Sequence, residues 1–227
     1  MGAEWVCGEG VEAAAADPPE REPAQPTAWA RRLEAVHRYP DAMELVKPTL
    51  EMVPSYVAAR ERGFSFDINP DPGAVAALTE QIKADPQAFI KTVEDLHPVG
   101  RTVTLPDGSE VPRLPQYTRW MWDDEFAGVI TFRFQRGTPE LPAHVLGHIG
   151  YAVVEWKRRL GYAAQALRDI LALPRAEGLP YVEVTTNVDN LASQGVILKA
   201  GGEFVETYNR PASQGGAPIN KYVIHLQ

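Results

Sequence analysis

Cysteine is almost missing from this chain: among 227 residues only Cys7 carries a thiol. A lone thiol cannot close an internal disulfide or build a thiolate metal site, so a reducing compartment is expected, and with it a cytoplasmic location and no bound metal. Long apolar runs are missing as well. No segment reaches the roughly 18 uninterrupted apolar residues of a membrane span, and the N-terminus has no basic stretch leading into an apolar one. Positive charge is in short supply: 22 Lys and Arg stand against 30 Asp and Glu, giving a net charge of −8 and a pI near 5.2. That balance argues against nucleic acid or a membrane surface as partner. Neither glycine loop of the common nucleotide binders, G-x-x-x-x-G-K-S/T or G-x-G-x-x-G, occurs.

What is present suggests one globular domain with an appendage, since 44% of the residues are hydrophobic. Residues 1–42 read as a mobile N-terminal extension, because Ala, Glu and Gly dominate its start and Pro18, Pro19, Pro23 and Pro26 crowd together. Within it, 27–38 has helical spacing, with Thr27 as a cap and Trp29, Leu33 and Val36 on one face. The folded domain is expected over 43–227. Its pattern predicts a strand at 44–47, then helices near 75–83 and 86–96, the second capped by Asp85 ahead of Pro86. Val103 to Val111 reads as a small arm turning at Asp107-Gly108, and two strands at 116–122 and 126–134 meet at Asp123-Asp124-Glu125. A strand over 146–154 follows.

That strand runs into the most informative stretch. Lys157, Arg158, Arg159 and Gly161 separate it from a helix whose buried face is drawn from Leu160, Ala163, Ala164, Leu167, Ile170 and Leu171. A helix start offers unpaired N–H groups and the positive end of the macrodipole, and glycine lets a ligand approach the backbone, so this turn suits a phosphate. Pro174 and Gly178 are expected to end the helix. A strand at 181–186, a helix at 191–199 stopped by Gly201-Gly202, and strands near 204–208 and 221–226 complete the pattern.

Arg158-Arg159-Leu160-Gly161-Tyr162-Ala163 fits the pattern Gln/Arg-x-x-Gly-x-Gly/Ala and resembles the cofactor signature of the GNAT superfamily of acyl-CoA-dependent N-acyltransferases. The stretch Val184 to Ser193, followed by Lys199-Ala200-Gly201-Gly202, resembles the strand, Asn-x-x-Ala/Ser helix and Lys-x-Gly ending of the same family. Gly147-His148-Ile149-Gly150-Tyr151 and the arm through Val111-Pro112-Arg113-Leu114-Pro115 are similar to one subgroup of its acetyltransferases. The resemblance implies a mixed α/β (α+β) GNAT-like fold, with a mostly antiparallel twisted sheet of about seven strands, splayed at the middle and flanked by helices.

It also implies acetyl-CoA as co-substrate and a primary amine, on a small molecule or a peptide, as acceptor. The pyrophosphate would lie on the backbone of Arg159, Leu160, Gly161, Tyr162 and Ala163 beside Arg158, and Tyr151, Ala152 and Val153 would bond the pantetheine like an added strand. Asn190 and Ser193 would contact it from the other wall, although Asn190 also suits a helix cap. His148 is the candidate general base, with a buried structural histidine as the competing reading; Glu140 and His144 are further candidates. Many members carry a tyrosine acid where this chain has Ile197, so Tyr208 on the next strand is the candidate acid. An acyl-CoA-binding module that has lost catalysis is the alternative, and either a monomer or a homodimer is compatible. Trp120, Trp122 and Tyr117 could line an acceptor pocket or pack in the core.

Overall fold

The computed structural model describes residues 43–66, 71–105 and 107–226, without the side chain of Ser213. They belong to the second of two units into which the chain divides, Met1–Arg38 and Tyr39–Gln227. The extension over 1–42, with its helix at 27–38, falls outside the described residues. In chain order the elements are β1 (Glu44–Val46), α1 (Val53–Glu61), α2 (Pro72–Ala84), α3 (Pro86–Val93), β2 (Thr102–Thr104), β3 (Glu110–Pro112), β4 (Gln116–Asp123) and β5 (Glu125–Arg133). Then come β6 (Ile149–Val153), α4 (Tyr162–Ile170), α5 (Ala172–Ala176), β7 (Tyr181–Asn187), α6 (Leu191–Lys199), β8 (Glu203–Asn209) and β9 (Pro218–His225).

Seven strands form two antiparallel sheets, β1-β4-β5-β6 and β7-β9-β8, while β2 and β3 pair as the separate arm. Period-2 alternation gives the first sheet two faces, both of them buried along β5. On one face Ile130, Phe132, Ile149 and Tyr151 pack with Tyr162, Ala166, Leu167 and Ile170 of α4 and Ile197 of α6. On the other, Trp120, Phe126 and Val129 pack with Val53, Tyr56 and Ala59 of α1 and Ile82 of α2. Trp120 is thus core, stacked on Tyr56 at 4.9 Å, and Tyr117 lies on the opposite face against Phe132 and Phe134. Full burial of such a side chain contributes about 1.5–3 kcal/mol.

The Asp85 cap falls where expected, and Asp71 adds one that was not expected. Asp71 and Asp85 accept the Ala74 and Ala88 N–H groups at 2.7 and 2.8 Å, each ahead of a proline in the first turn. Several boundaries differ from expectation, the strand expected over 146–154 running only from Ile149 to Val153, and three differences have a local cause. The helix expected to reach Leu96 stops at Val93, since Glu94 turns extended and its carboxylate binds Lys47 and Arg119. Leu160 lies before α4 and is 45% exposed, because positive φ at Arg159 and Gly161 swings it outward. Pro174 does not end the helical region. It sits inside α5, whose first turn needs no proline N–H, and Gly178 at φ 77° closes it.

Candidate active site

β6 and β7 are neighbours in space but belong to different sheets. They touch at one point. The His148 N–H donates to the Glu183 carbonyl at 2.8 Å, and His148 Nδ1 accepts the Glu183 N–H at 2.9 Å. Gly147 lets the chains close there: a Cβ at this position would lie 3.1 Å from the Glu183 carbonyl oxygen and 3.3 Å from the Thr185 nitrogen. Beyond that apex no backbone hydrogen bond joins them among the described residues, which leaves each strand an open edge.

Pairing with β5 decides which groups of β6 face the opening. Arg133 N–H donates to the His148 carbonyl and Val154 N–H to the Ala127 carbonyl, with Thr131 opposite Gly150 and Val129 opposite Ala152. Even-numbered residues therefore bond β5, which leaves the N–H and C=O groups of Ile149, Tyr151 and Val153 on the free edge. Of the expected pantetheine contacts, Tyr151 and Val153 lie on this edge. Ala152 faces β5 instead, and Ile149 is the third residue on the free edge.

The turn after β6 is fixed by a polar clamp. Lys157 Nζ lies 2.9 Å from the Asp123 carboxylate and 3.4 Å from that of Glu125, and the Tyr162 hydroxyl donates to Asp123. Lys157, then Tyr162, hold the Asp123 pKa below its usual range, while burial and then Asp123 push the Tyr162 phenol up. α4 begins at Gly161 in the left-handed region, φ 87°, with no side-chain cap. Its first-turn donors are thus open, beside the exposed Arg158 and Arg159. Arg158 Nε reaches back to the Val153 carbonyl at 3.3 Å. A cleft of about 240 Å³ opens next to this turn, between residues 62–65 and Ala152, Val153, Trp156 and Arg158.

On the α4 side of the divergence, the Tyr151 hydroxyl lies 2.8 Å from Ser193 Oγ in the first turn of α6. Burial pushes the Tyr151 pKa up to about 12. Asn190 caps α6 by accepting the Ser193 N–H at 3.0 Å. His148 is 1% exposed; burial, aided by the Arg133 charge and opposed by the Pro139 carbonyl, holds its pKa down at about 4. Its Nδ1 lone pair is already engaged, so the ring hydrogen belongs on Nε2, which has no regular hydrogen-bond partner. Tyr208 lies on β8, with β9 between it and β7, and Lys221 Nζ is 5.5 Å from its ring. Glu140 is exposed on the preceding loop, and the His144 carbonyl is held by Gln214.

The other face of the divergence holds residues that the sequence did not single out. Val182 and Val184 point into the core, so Glu183 points away from it, 3.6 Å from Lys221. Arg133 and Phe66 close over Gly150. The one available signal was a charge inside an apolar strand: Arg133 between Phe132 and Phe134, and Glu183 between Val182 and Val184. Among the described residues, no three His, Cys, Asp or Glu side chains gather as metal ligands, and no helix is long and apolar enough to cross a membrane.

A model of the acetyltransferase (GNAT) domain family matches residues 18–203. No curated protein matches. Among solved structures, the RimL ribosomal L7/L12 alpha-N-protein acetyltransferase in complex with coenzyme A superposes with a TM-score of 0.54 at 14% identity, over 82% of this chain and 95% of that one. The microcin C7 self-immunity acetyltransferase MccE, in complex with acetyl-CoA and AMP, gives 0.52 at 13% over 83% and 95%. An acetyltransferase from Salmonella typhimurium that modifies the N-terminal serine of L7/L12 gives 0.52 at 13% over 83% and 98%. At these identities the likeness is one of fold.

Proposed function

Since the chain belongs to the GNAT acetyltransferase family and is therefore an acyltransferase, we propose that it transfers an acetyl group from acetyl-CoA to a primary amine of a small molecule or peptide. The observation that carries this reading is the unpaired edge of β6 leading directly into the uncapped, glycine-started helix α4. That combination fits the donor: backbone groups of Ile149, Tyr151 and Val153 suit the amides of the pantetheine, and the N–H groups of Arg159 to Ala163 suit its pyrophosphate. Arg158 lies beside both. When bound, acetyl-CoA supplies an acetyl thioester whose thiol is the leaving group.

The residues around the apex divide the proton transfers by face. Glu183, on the open face, takes the proton that the amine loses as its nitrogen bonds the acetyl carbon. The Tyr151–Ser193 hydroxyl pair, on the α4 side, gives a proton to the sulfur as the carbon–sulfur bond breaks. Burial keeps the Tyr151 phenol protonated at neutral pH, as a donor must be. This pair fills the role left open by Ile197. His148 serves as a pin between β6 and β7 rather than as the base, because its one lone pair is engaged. Asn190 shapes the second wall by capping α6, and Tyr208 acts on neither proton.

The test is release of free thiol from acetyl-CoA across a panel of primary amines. Thiol release that depends on the amine, with acetylated amine as the second product, supports the reading. Acetyl-CoA binding without transfer to any amine would contradict it.

A further inference from the structure

The face of the second sheet that points away from the core carries a ladder of three charges. Lys221 of β9 stands directly opposite Glu206 of β8 and opposite Thr185 of β7, with Glu183 one diagonal step along β7. Its Nζ lies 3.3 Å from the Glu206 carboxylate, 3.6 Å from that of Glu183 and 5.5 Å from the Tyr208 ring. One ammonium is shared between two carboxylates. Glu183 and Lys221 are sheltered, with side chains 24% and 23% exposed, whereas Glu206 is open at 52%.

Regular pairing would not build this ladder. From Phe204 opposite Tyr222, an unbroken register puts Val205 opposite Lys221 and turns Glu206 to the other face, where Tyr222 packs in the core. Instead the register shifts between Phe204 and Glu206. Val205 becomes the extra residue, 51% exposed, and Glu206 moves opposite Lys221. A β-bulge re-aims a side chain at the expense of local pairing. Its effect here is to bring a second carboxylate to the ammonium that already lies within ion-pair distance of Glu183.

An aliphatic primary amine keeps its proton at neutral pH, with a pKa of about 10, so the acceptor comes to Glu183 as a cation. Lys221 already stands there. Two ammonium groups on one sheltered carboxylate repel each other, so one has to give way. We propose that Lys221 is the acceptor's internal competitor: it accompanies Glu183 in the free enzyme, shifts onto Glu206 when the acceptor's ammonium arrives, and thereby sets how strongly cationic amines bind. Glu206 is a positioning residue that acts through Lys221, and the Val205 bulge gives it its place. Amines that enter uncharged bypass this competition.

The inference rests on the reading of Glu183 as the base of acetyl transfer, and two measurements keep the two apart. The first uses the full chain, acetyl-CoA and two kinds of acceptor, alkylamines that enter charged and anilines that enter neutral, with thiol release as readout. Partly exposed ion pairs are worth about 1.5- to 5-fold in an equilibrium constant, which sets the scale. Lys221→Met should lower KM for alkylamines by about two- to fivefold, and Glu206→Gln should raise it by a similar factor. In the Lys221→Met background, Glu206→Gln should change it by less than about 1.5-fold, because it acts only through the lysine. Lys221→Arg keeps the charge and should keep the native KM. Anilines should show none of these changes, and KM for acetyl-CoA should stay put. A higher alkylamine KM in Lys221→Met, a Glu206→Gln effect that survives without Lys221, or equal changes for anilines overturns the proposal. The second measures melting with N,N-dimethylbutylamine, a tertiary amine that is protonated at neutral pH and forms no stable amide. Relative to each protein without ligand, the rise should be largest in Lys221→Met, smaller in the native chain and smallest in Glu206→Gln; an equal rise in all three overturns the competition. The predicted order with no transfer to any amine sinks the transfer reading and upholds the competition; transfer with alkylamine KM unmoved in both variants does the reverse.

Discussion

The two ends of β6 are built in opposite ways. At the turn end, the charges the fold needs are paired internally, with Lys157 and Tyr162 on Asp123, and apart from the buried Trp156 Nε1 what remains open is exposed: backbone donors of α4 and two solvated arginines. At the apex end, Nε of Arg133, Nε of Arg113 and Nε2 of His148 are buried without a regular hydrogen-bond partner, the last facing the Pro139 carbonyl. The first arrangement costs little while empty, because water solvates it, and it suits a donor shared by many enzymes. The second keeps polar atoms out of reach of water, which is unfavourable unless something meets them.

The largest effect expected on this contrast comes from Gly161→Glu, which should abolish acetyl-CoA binding in a calorimetric titration by placing bulk and negative charge at the turn proposed for the pyrophosphate. Gly161→Ala is the control: at φ 87° it should cost about 1 kcal/mol of stability and leave binding within a fewfold. Turnover that persists in the glutamate variant would move the phosphate elsewhere.

At the apex, Glu183→Gln should lower kcat/KM by about 10², as loss of a general base does. Tyr151→Phe combined with Ser193→Ala should lower kcat by a similar factor of about 10² without raising KM for acetyl-CoA. Unchanged kcat/KM in the first, or unchanged turnover in the second, would break the division of proton transfers between faces.

His148→Gln probes the pin. In the native protein the His148 pKa is near 4, below the unfolded value of 6.5. Between those two pH values the unfolded chain binds a proton that the folded chain refuses, so stability is complete above about 6.5 and declines as pH falls toward 4, by up to about 3 kcal/mol. The variant should lose that slope in chemical denaturation, along with about 1–3 kcal/mol at neutral pH from the orphaned Glu183 N–H. Tyr208→Phe is the smallest change, with turnover expected within about twofold; a loss near 10² would return the acid to β8.

These ends also differ in what the sequence reveals. The turn is contiguous, so Arg158 to Ala163 could be read directly, as could Asn190 as a cap, the arm at Asp107-Gly108 and the strand order around them. The apex is assembled from Phe66, Arg113, Arg133, Gly150 and Glu183, which only strand pairing brings together. The free edge of β6 could not be read either. That Ile149 rather than Ala152 belongs to it depends on which residues bond β5, a matter of register that the hydrophobic pattern leaves open. The role of His148 depended on one backbone N–H from Glu183, thirty-five positions away.

The measurement closest to the central claim is amide hydrogen exchange, residue by residue, with and without acetyl-CoA. Tyr151, Val153 and Arg159 to Ala163 should exchange more slowly when it is bound, while Ala152, already bonded to β5, should not change. Protection centred on Arg133 and Gly150, with the turn unaffected, would contradict the assignment of β6 and the start of α4 to the donor.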